Sequence, residues 1–275
     1  MPVPRLRAAV SLAAMGLELL SAGELSDAEL AALFTTSYEG YLVPFDVDGA
    51  AVRFMTDAFD LDREASRIAV RNGAGVGLAN LGLRGTEAWI GGVGVVPSER
   101  RRGLGRLLME GVHDEARARG ATRVWLEVIV ENAPAITLYE QLGYEHVRDL
   151  AVWHVPGAPG PVRDVSVAEA RRTIAAERRT REPWQRADAT VDKLDEVVGI
   201  ASGGAAAVVR SANGRVQLLQ AAGPAVGLEA TLRAATALAD SLIVLNVPVD
   251  DPVGPVLESL GGAVVVRQHE MALEL

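Results

Sequence analysis

Val95-Val96-Pro97-Ser98-Glu99-Arg100-Arg101-Arg102-Gly103-Leu104-Gly105-Arg106-Leu107-Leu108 is the stretch on which the reading of this fold turns. The run from Ala88 to Val96 reads as a strand, and Pro97, which has no backbone donor, ends it. Beyond the basic loop, Leu104, Leu108, Val112 and Ala116 recur every four residues with Leu107 beside them, which marks one face of a helix. Gly120 is a natural residue to stop that helix. Gly103 and Gly105 stand where it opens and remove Cβ atoms at a point where backbone can approach a ligand closely. First-turn amides of a helix have no intrahelical acceptor, and with the helix dipole they attract an anion. The arginines add positive potential in a chain whose formal net charge is −9. The loop is neither the longer glycine loop that ends in Lys-Ser/Thr nor the three-glycine dinucleotide fingerprint, so ATP and NAD fit poorly. Its plain alternative is a solvated helix start.

The flanking sequence supplies alternating β and α signals. Leu17 to Leu20 opens a first strand, and Ser26 with Glu29 has capping-box spacing ahead of Leu30, Leu33 and Phe34, predicting a helix over 26–36. The segment 38–45 carries Tyr38 and Tyr41 and is expected to be irregular before a second helix over 49–61. Ile68 to Arg71, the turn signal Asn72-Gly73 and a return over 76–83 form a hairpin ahead of the key strand. After the helix come a strand over 124–130, a helix over 134–142 stopped by Gly143, and a strand over 144–153.

Arg100-Arg101-Arg102-Gly103-Leu104-Gly105 matches an Arg/Gln-x-x-Gly-x-Gly/Ala signature, and Val95-Val96-Pro97 matches the Val-x-Pro that precedes it. Glu127, Asn132, Ala135, Leu138, Tyr139, Gly143 and Tyr144 supply the strand–Asn–Ala–Leu-Tyr–Gly-Tyr pattern that follows. In these three elements the chain resembles the Gcn5-related N-acetyltransferase (GNAT) family, most clearly over 66–150. The resemblance implies an α/β fold of the mixed α+β kind, with a central mixed twisted sheet flanked by helices. It implies acetyl-CoA as cosubstrate and no metal. Backbone groups of Val95, Val96 and Pro97 would then pair with the pantetheine arm, and Asn132 would hydrogen-bond it. Arg100 and Arg101 belong to the same cofactor loop, and Arg102, Gly103, Leu104, Gly105, Arg106 and Leu107 would wrap the pyrophosphate. Tyr139 would protonate the leaving thiolate, and the Val95 amide would meet the oxyanion.

The residues themselves support that chemistry to different degrees. A phenol of pKa near 10 can donate to a basic thiolate as it forms, although Tyr139 is otherwise read as a half-buried helix residue. No cysteine is present to carry an acyl intermediate, so direct attack by an amine is expected. The strand before the loop has no acid after Glu87, which leaves Glu127, through water, and Glu39 as candidate bases; a salt bridge is the alternative for Glu127. Gly91, Gly92 and Gly94 leave space on one face of that strand, either for a bulky acceptor or for Trp89 and the 38–45 loop to close over it. Tyr38, Glu39, Tyr41 and Trp89 are therefore the acceptor-side candidates, against ordinary helix-to-sheet packing. His113 and His146 have no partner at metal-ligand spacing and read as satisfied or solvent-facing histidines.

The second half repeats the plan without the chemistry. Leu245-Asn246-Val247-Pro248-Val249-Asp250-Asp251-Pro252-Val253-Gly254-Pro255-Val256-Leu257-Glu258-Ser259-Leu260-Gly261 follows the same strand, acidic turn, short helix and Leu-Gly stop as 126–143. Tyr139 aligns with Leu257, and the arginine–glycine loop has no counterpart before a helix expected over 227–239. A charged helix (166–181), strands at 205–210, 216–220 and 242–247, a hairpin at Asn213-Gly214, a helix at 253–260 and two terminal strands complete that half. The expected domains are a lead-in (1–16), a GNAT domain (17–155), a Pro-Gly linker (156–162) and a degenerate GNAT-like copy (163–275).

Composition bounds the partners. The acidic balance and a pI near 5.1 argue against a general nucleic-acid binder. The absence of cysteine fits a reducing compartment, and the expected location is cytoplasmic. Arg5 and Arg7 precede a short apolar run that Glu18 soon interrupts, so a flexible lead-in is read there rather than a signal peptide, and no stretch approaches a membrane span. The expected function is acetylation of a primary amine, of a small molecule, by a monomer or homodimer. A protein or peptide N-acetyltransferase, a non-catalytic acyl-CoA-binding regulator and a scaffold are the alternatives.

Overall fold

A computed structural model describes residues 16–43, 46–212 and 215–275 of the chain. The lead-in up to residue 15, the end of the 38–45 segment and the Asn213-Gly214 turn lie outside the described residues. The chain divides into two compact units, residues up to His146 together with Met271–Leu275, and Val147–Glu270.

The first unit opens with β1 (Leu17–Ser21), α1 (Asp27–Ser37) and α2 (Gly49–Ala58). The capping box at α1 is formed: the Glu29 amide donates to Ser26 Oγ at 3.3 Å, and the Ser26 amide donates to the Glu29 carboxylate at 2.8 Å. β2 (Arg67–Arg71) turns into β3 (Ala74–Arg84) through Asn72 and Gly73, both at positive φ (51° and 79°), as a two-residue hairpin of this hand requires. β4 (Glu87–Val95), α3 (Leu104–Ala118), β5 (Arg123–Ile129), α4 (Ala133–Gln141) and β6 (Glu145–Pro156) follow. The strand order runs β1-β2-β3-β4-β5, antiparallel except for the β4–β5 pair. Each face of this sheet has its own core. Leu104, Leu108, Val112 and Ala116 of α3 pack with Leu81, Ile90, Val124 and Leu126 on one side. Leu30, Phe34 and Val52 of the first two helices pack with Ile68 and Leu78 on the other.

The second unit is built from β7 (Asp164–Val165), α5 (Val167–Glu177), a 3-10 turn (Trp184–Arg186), α6 (Asp188–Val191), β8 (Val197–Ser202), β9 (Ala205–Ala212), β10 (Arg215–Ala222), α7 (Ala225–Thr236), β11 (Ser241–Pro248), α8 (Val253–Ser259) and β12 (Ala263–Glu274). Its strands are ordered β7-β8-β9-β10-β11, again with one parallel pair, β10–β11. The two short helices α4 and α8 end in the same way, at Gly143 (φ 93°) and Gly261 (φ 82°). Two copies of one fold therefore stand in tandem.

Two differences from the sequence reading follow from backbone chemistry. The two expected terminal strands are one 12-residue strand, because nothing between Ala263 and Glu274 is a glycine or proline that would break it. The sixth strand of each half of the sequence also belongs, largely or at its end, to the other unit: β6 beyond His146 lies in the second unit, and the chain from Met271 lies in the first. β6 pairs with β11 of the second unit, while Met271, Leu273 and Leu275 at the chain's end belong to the first unit's core. The Leu275 amide donates to the Thr122 carbonyl at 2.9 Å. The division into units thus falls within β6 and β12, whereas the expected boundary lies in the linker at 156–162.

His113, on the inner side of α3, is 4% exposed, and its Nε2 lies 2.8 Å from the Tyr144 hydroxyl. It is a satisfied core histidine. Burial, with a smaller contribution from Arg117, lowers its pKa from 6.5 to about 4. The folded chain keeps the ring neutral where the unfolded chain protonates it, so stability from this group is present above pH 6.5 and lost as pH falls toward 4. Between pH 7.5 and pH 5 this group accounts for a loss of about 2 kcal/mol. Urea unfolding at the two pH values should show that loss in the native chain and a flatter dependence in His113→Gln; equal slopes would remove the assignment.

Candidate active site

The site begins where β4 and β5 part. These parallel strands pair at Glu87 with Arg123, Ala88 with Val124 and Trp89 with Trp125, and the pairing ends there. A bulge at this point, between the Asn80–Gly92 and Leu81–Ile90 pairs, shifts the register of β4 against β3. Beyond the bulge, the Val96 amide donates to the Val76 carbonyl at 3.0 Å, while Val95 stands opposite Gly77. Hydrogen-bonded and non-bonded pairs alternate in an antiparallel ladder, so the peptide N–H of Val95 turns away from β3 toward the opening fork.

The basic loop delivers an uncapped helix start beside that fork. Gly103 is the N-cap of α3 at φ 82°, with no side-chain hydrogen bond to the first turn. A Cβ built there meets nothing within 4 Å, and one at Gly105 meets only Leu138, at 3.2 Å. Arg101 also takes a left-handed backbone, at φ 60°, and Arg101 and Arg102 are both exposed. Leu104 is buried in the α3 core and Leu107 packs against it, which fixes the angle at which the helix start is presented. Arg102 reaches Glu99 at 3.3 Å, and Arg106 donates to Gln141 Oε1 at 2.9 Å. The donor set is backbone amide and arginine around open space. It fits a phosphate-bearing ligand.

Arg100 points elsewhere. Its Nε donates to the Val95 carbonyl at 2.9 Å, and its Nη2 donates to the carbonyls of Ser37 (3.3 Å) and Glu39 (2.6 Å). The guanidinium therefore ties the end of β4 to the C-terminus of α1, whose last carbonyls have no intrahelical donor. The glycines of β4 complete this docking. A Cβ at Gly94 would stand 2.8 Å from Ser37 Cβ, and one at Gly92 would stand 2.9 Å from the Tyr38 hydroxyl. Of the two uses expected for that space, the closing side chains occupy it. Tyr38 stacks on Phe34 at 4.8 Å, and its hydroxyl hydrogen-bonds the Val93 backbone. Burial raises its pKa far above the ordinary tyrosine value.

The other named residues gather around the fork. Tyr41 meets Tyr38 edge-on at 5.0 Å and shares a hydrogen bond with Asn132. Asn132 also caps α4, accepting from the Ala135 amide at 3.4 Å. Tyr139 is 8% exposed, and burial followed by the proximity of Tyr41 raises its phenol well above 10. Trp89 is buried against Phe59, with Gly91 beneath its ring, and its Nε1 donates to Glu127 Oε2 at 2.8 Å. Trp125 makes the reciprocal bond to Glu87. Glu127 is thus held by the Trp89 indole. The Glu39 side chain is exposed, and only its carbonyl takes part in the docking. Sequence reasoning did not single out Val93, which acts through its backbone, or Ser37, whose carbonyl and Cβ meet Arg100 and Gly94 across more than fifty residues of sequence.

Residues 29–144 match the Acetyltransferase (GNAT) family. The first unit is a GNAT domain. A ribosomal protein bS18-alanine N-acetyltransferase of Salmonella typhimurium is 50% identical over 58 residues, which are 21% of this chain and 39% of that protein. Streptothricin acetyltransferase of Streptomyces lavendulae is 42% identical over 84 residues, 29% of this chain and 44% of that one. The chain thus spans less than half the length of these relatives. A tandem GNAT protein from the clavulanic acid biosynthesis pathway has 15% identity and a TM-score of 0.59, covering 94% of this chain and 98% of that one. The GNAT fold is thereby shared along both copies.

Arg100 generates a direct test. Replacing it with Ala removes the donors to three carbonyls and should lower stability by about 1–2 kcal/mol, since hydrogen bonds from a charged group at a partly solvated site contribute modestly. Amides of 37–41 should exchange faster with deuterium in this variant, while those of β2 should not change.

Proposed function

We propose that the first unit transfers an acetyl group from acetyl-CoA to the primary amine of a small molecule. The observation that carries this is the unpaired fork beyond Trp89 and Trp125, with the Val95 amide turned into it and the uncapped α3 start beside it. An extended arm laid along β4 would regain the lost strand pairing through Val95, Val96 and Pro97, with its pyrophosphate on the amides and arginines from Arg102 to Leu107. Asn132 and Tyr41 stand where that arm would pass, and exchanging their mutual bond for one to the arm keeps both satisfied.

Tyr139 donates to the leaving sulfur. Its raised pKa keeps the phenol protonated across the assay range, so the donor is always present. The Val95 amide stabilises the oxyanion that forms when the amine attacks the thioester carbonyl. Glu127, on the opposite face of β5 from the α3 core, is the base that takes the proton of the attacking ammonium, directly or through water. Trp89 orients it. The closure of Gly92 and Gly94 by Tyr38 and Ser37 narrows the acceptor side of β4 and supports a compact acceptor over an extended chain. Streptothricin acetyltransferase, by its name, acts on a small molecule. The 50% identity to a ribosomal-protein alanine N-acetyltransferase favours the second reading, a peptide α-amine.

A thiol-release assay with acetyl-CoA, run against a panel of small primary amines and a peptide with N-terminal alanine, decides between the acceptors. Tyr139→Phe should lower kcat by roughly 10²–10⁴-fold with little change in acetyl-CoA affinity. Turnover unchanged by this substitution would remove Tyr139 from the chemistry. Because the phenol stays protonated, the native activity should not fall between pH 8 and pH 10 through loss of this group.

A further inference from the structure

The second unit has its own fork. β10 and β11 pair at Val216 with Leu242, Gln217 with Ile243 and Leu218 with Val244, and then part. The next residue on each strand is a leucine whose carbonyl is already taken. Arg186 Nε donates to the Leu219 carbonyl at 2.9 Å, and its Nη1 donates to the Leu245 carbonyl at 3.4 Å. This arginine is fully buried. Its charge faces Glu182 at 3.2 Å, and its own carbonyl accepts from Gln220 Nε2 at 2.6 Å. Gln220 on β10 also donates to Asp188 at 2.9 Å, and Asn246 on β11 donates to Gln185 at 3.1 Å. The turn Trp184–Arg186 is thus bonded to both parting strands.

The helix start of this unit is closed as well. A Cβ at Gly227, in the first turn of α7, would collide with the Gly203 carbonyl of the β8–β9 turn, and Gly223 is pressed on Ala205 in the same way. At Gly103 of the first unit the corresponding space is open. No arginine lies between Gln220 and Leu228.

We propose that the second unit is liganded by its own chain: Arg186 takes the place that a pantetheine arm takes in the first fork, so acyl-CoA binds once per chain. The stoichiometry rests on the acetyl-CoA reading of the first unit; the occupancy of the second fork by Arg186 does not. Calorimetric titration of the full chain with acetyl-CoA should give one site, and Gly103→Trp should abolish it. Two sites in the native chain, or one surviving in Gly103→Trp, would overturn the proposal. No binding in the native chain would sink the reading of the first unit, and a second measurement then decides the plug alone. Arg186→Met should lower the urea midpoint of the full chain, because it strands two carbonyls and the Glu182 charge, and Arg186→Lys should recover only part of the loss. A midpoint unchanged in Arg186→Met would show that the fork does not depend on this side chain.

Discussion

Two parallel strands that part leave peptide donors and acceptors facing a gap, and a buried gap cannot leave them unmet. That constraint organises both halves of this chain. In the first unit the strands separate after Trp89 and Trp125, at the point where the β4 bulge changes which amides face the gap. In the second they separate after Leu218 and Val244. The fold thus creates the same demand twice. In the second unit Arg186 meets it from within; in the first Arg100 takes the Val95 carbonyl, and the Val95 amide faces the gap where we propose that a ligand adds as a further strand.

The surroundings of the first fork follow from holding it open. A glycine-rich β4 has no side chains to brace its outer face, so the end of α1 is seated there instead, through Ser37 and Tyr38. Arg100 locks that seat to the Val95 carbonyl. The motif's first arginine therefore braces the face of β4 on which Tyr38 sits, while its glycines open the start of α3. One loop thus fixes both the end of β4 and the start of α3. The indole–carboxylate bonds of Trp89 with Glu127 and Trp125 with Glu87 cross the last paired rung of β4 and β5, and they hold the strands together just before the gap opens.

Much of this was legible in the residues. The apolar period of α3, the capping box at Ser26, the Asn72-Gly73 turn and the glycine stops are local signals, and local physics decides them. The tandem plan showed in the paired Leu-Gly stops at Gly143 and Gly261. What escaped was non-local. β8 has weak alternation between turn residues, and it is a strand because β9 pairs along its whole length. The path of the Arg100 side chain depends on three carbonyls, two of them more than sixty residues away in sequence. No local signal marks Arg186, and only the parting of β10 and β11 gives this buried arginine its acceptors.

The placement of the sixth strands bears on why a copy without the arginine–glycine loop persists. Met271, Leu273 and Leu275 pack into the first unit's core, and Val155 and Trp153 of β6 pack into the second's. Each core is therefore completed by a strand from the other half of the sequence. A chain cut at the Pro-Gly linker would leave the first unit's core without the buried Met271 and the partly buried Leu273 and Leu275, a loss that is a sizeable part of the marginal stability of a domain. The second half is thus required by the first unit's fold, because the end of its last strand belongs to that unit's core. Arg186 fits this division of labour: a copy kept for its fold gains from satisfying its strand ends internally, and a copy kept for chemistry must leave them open.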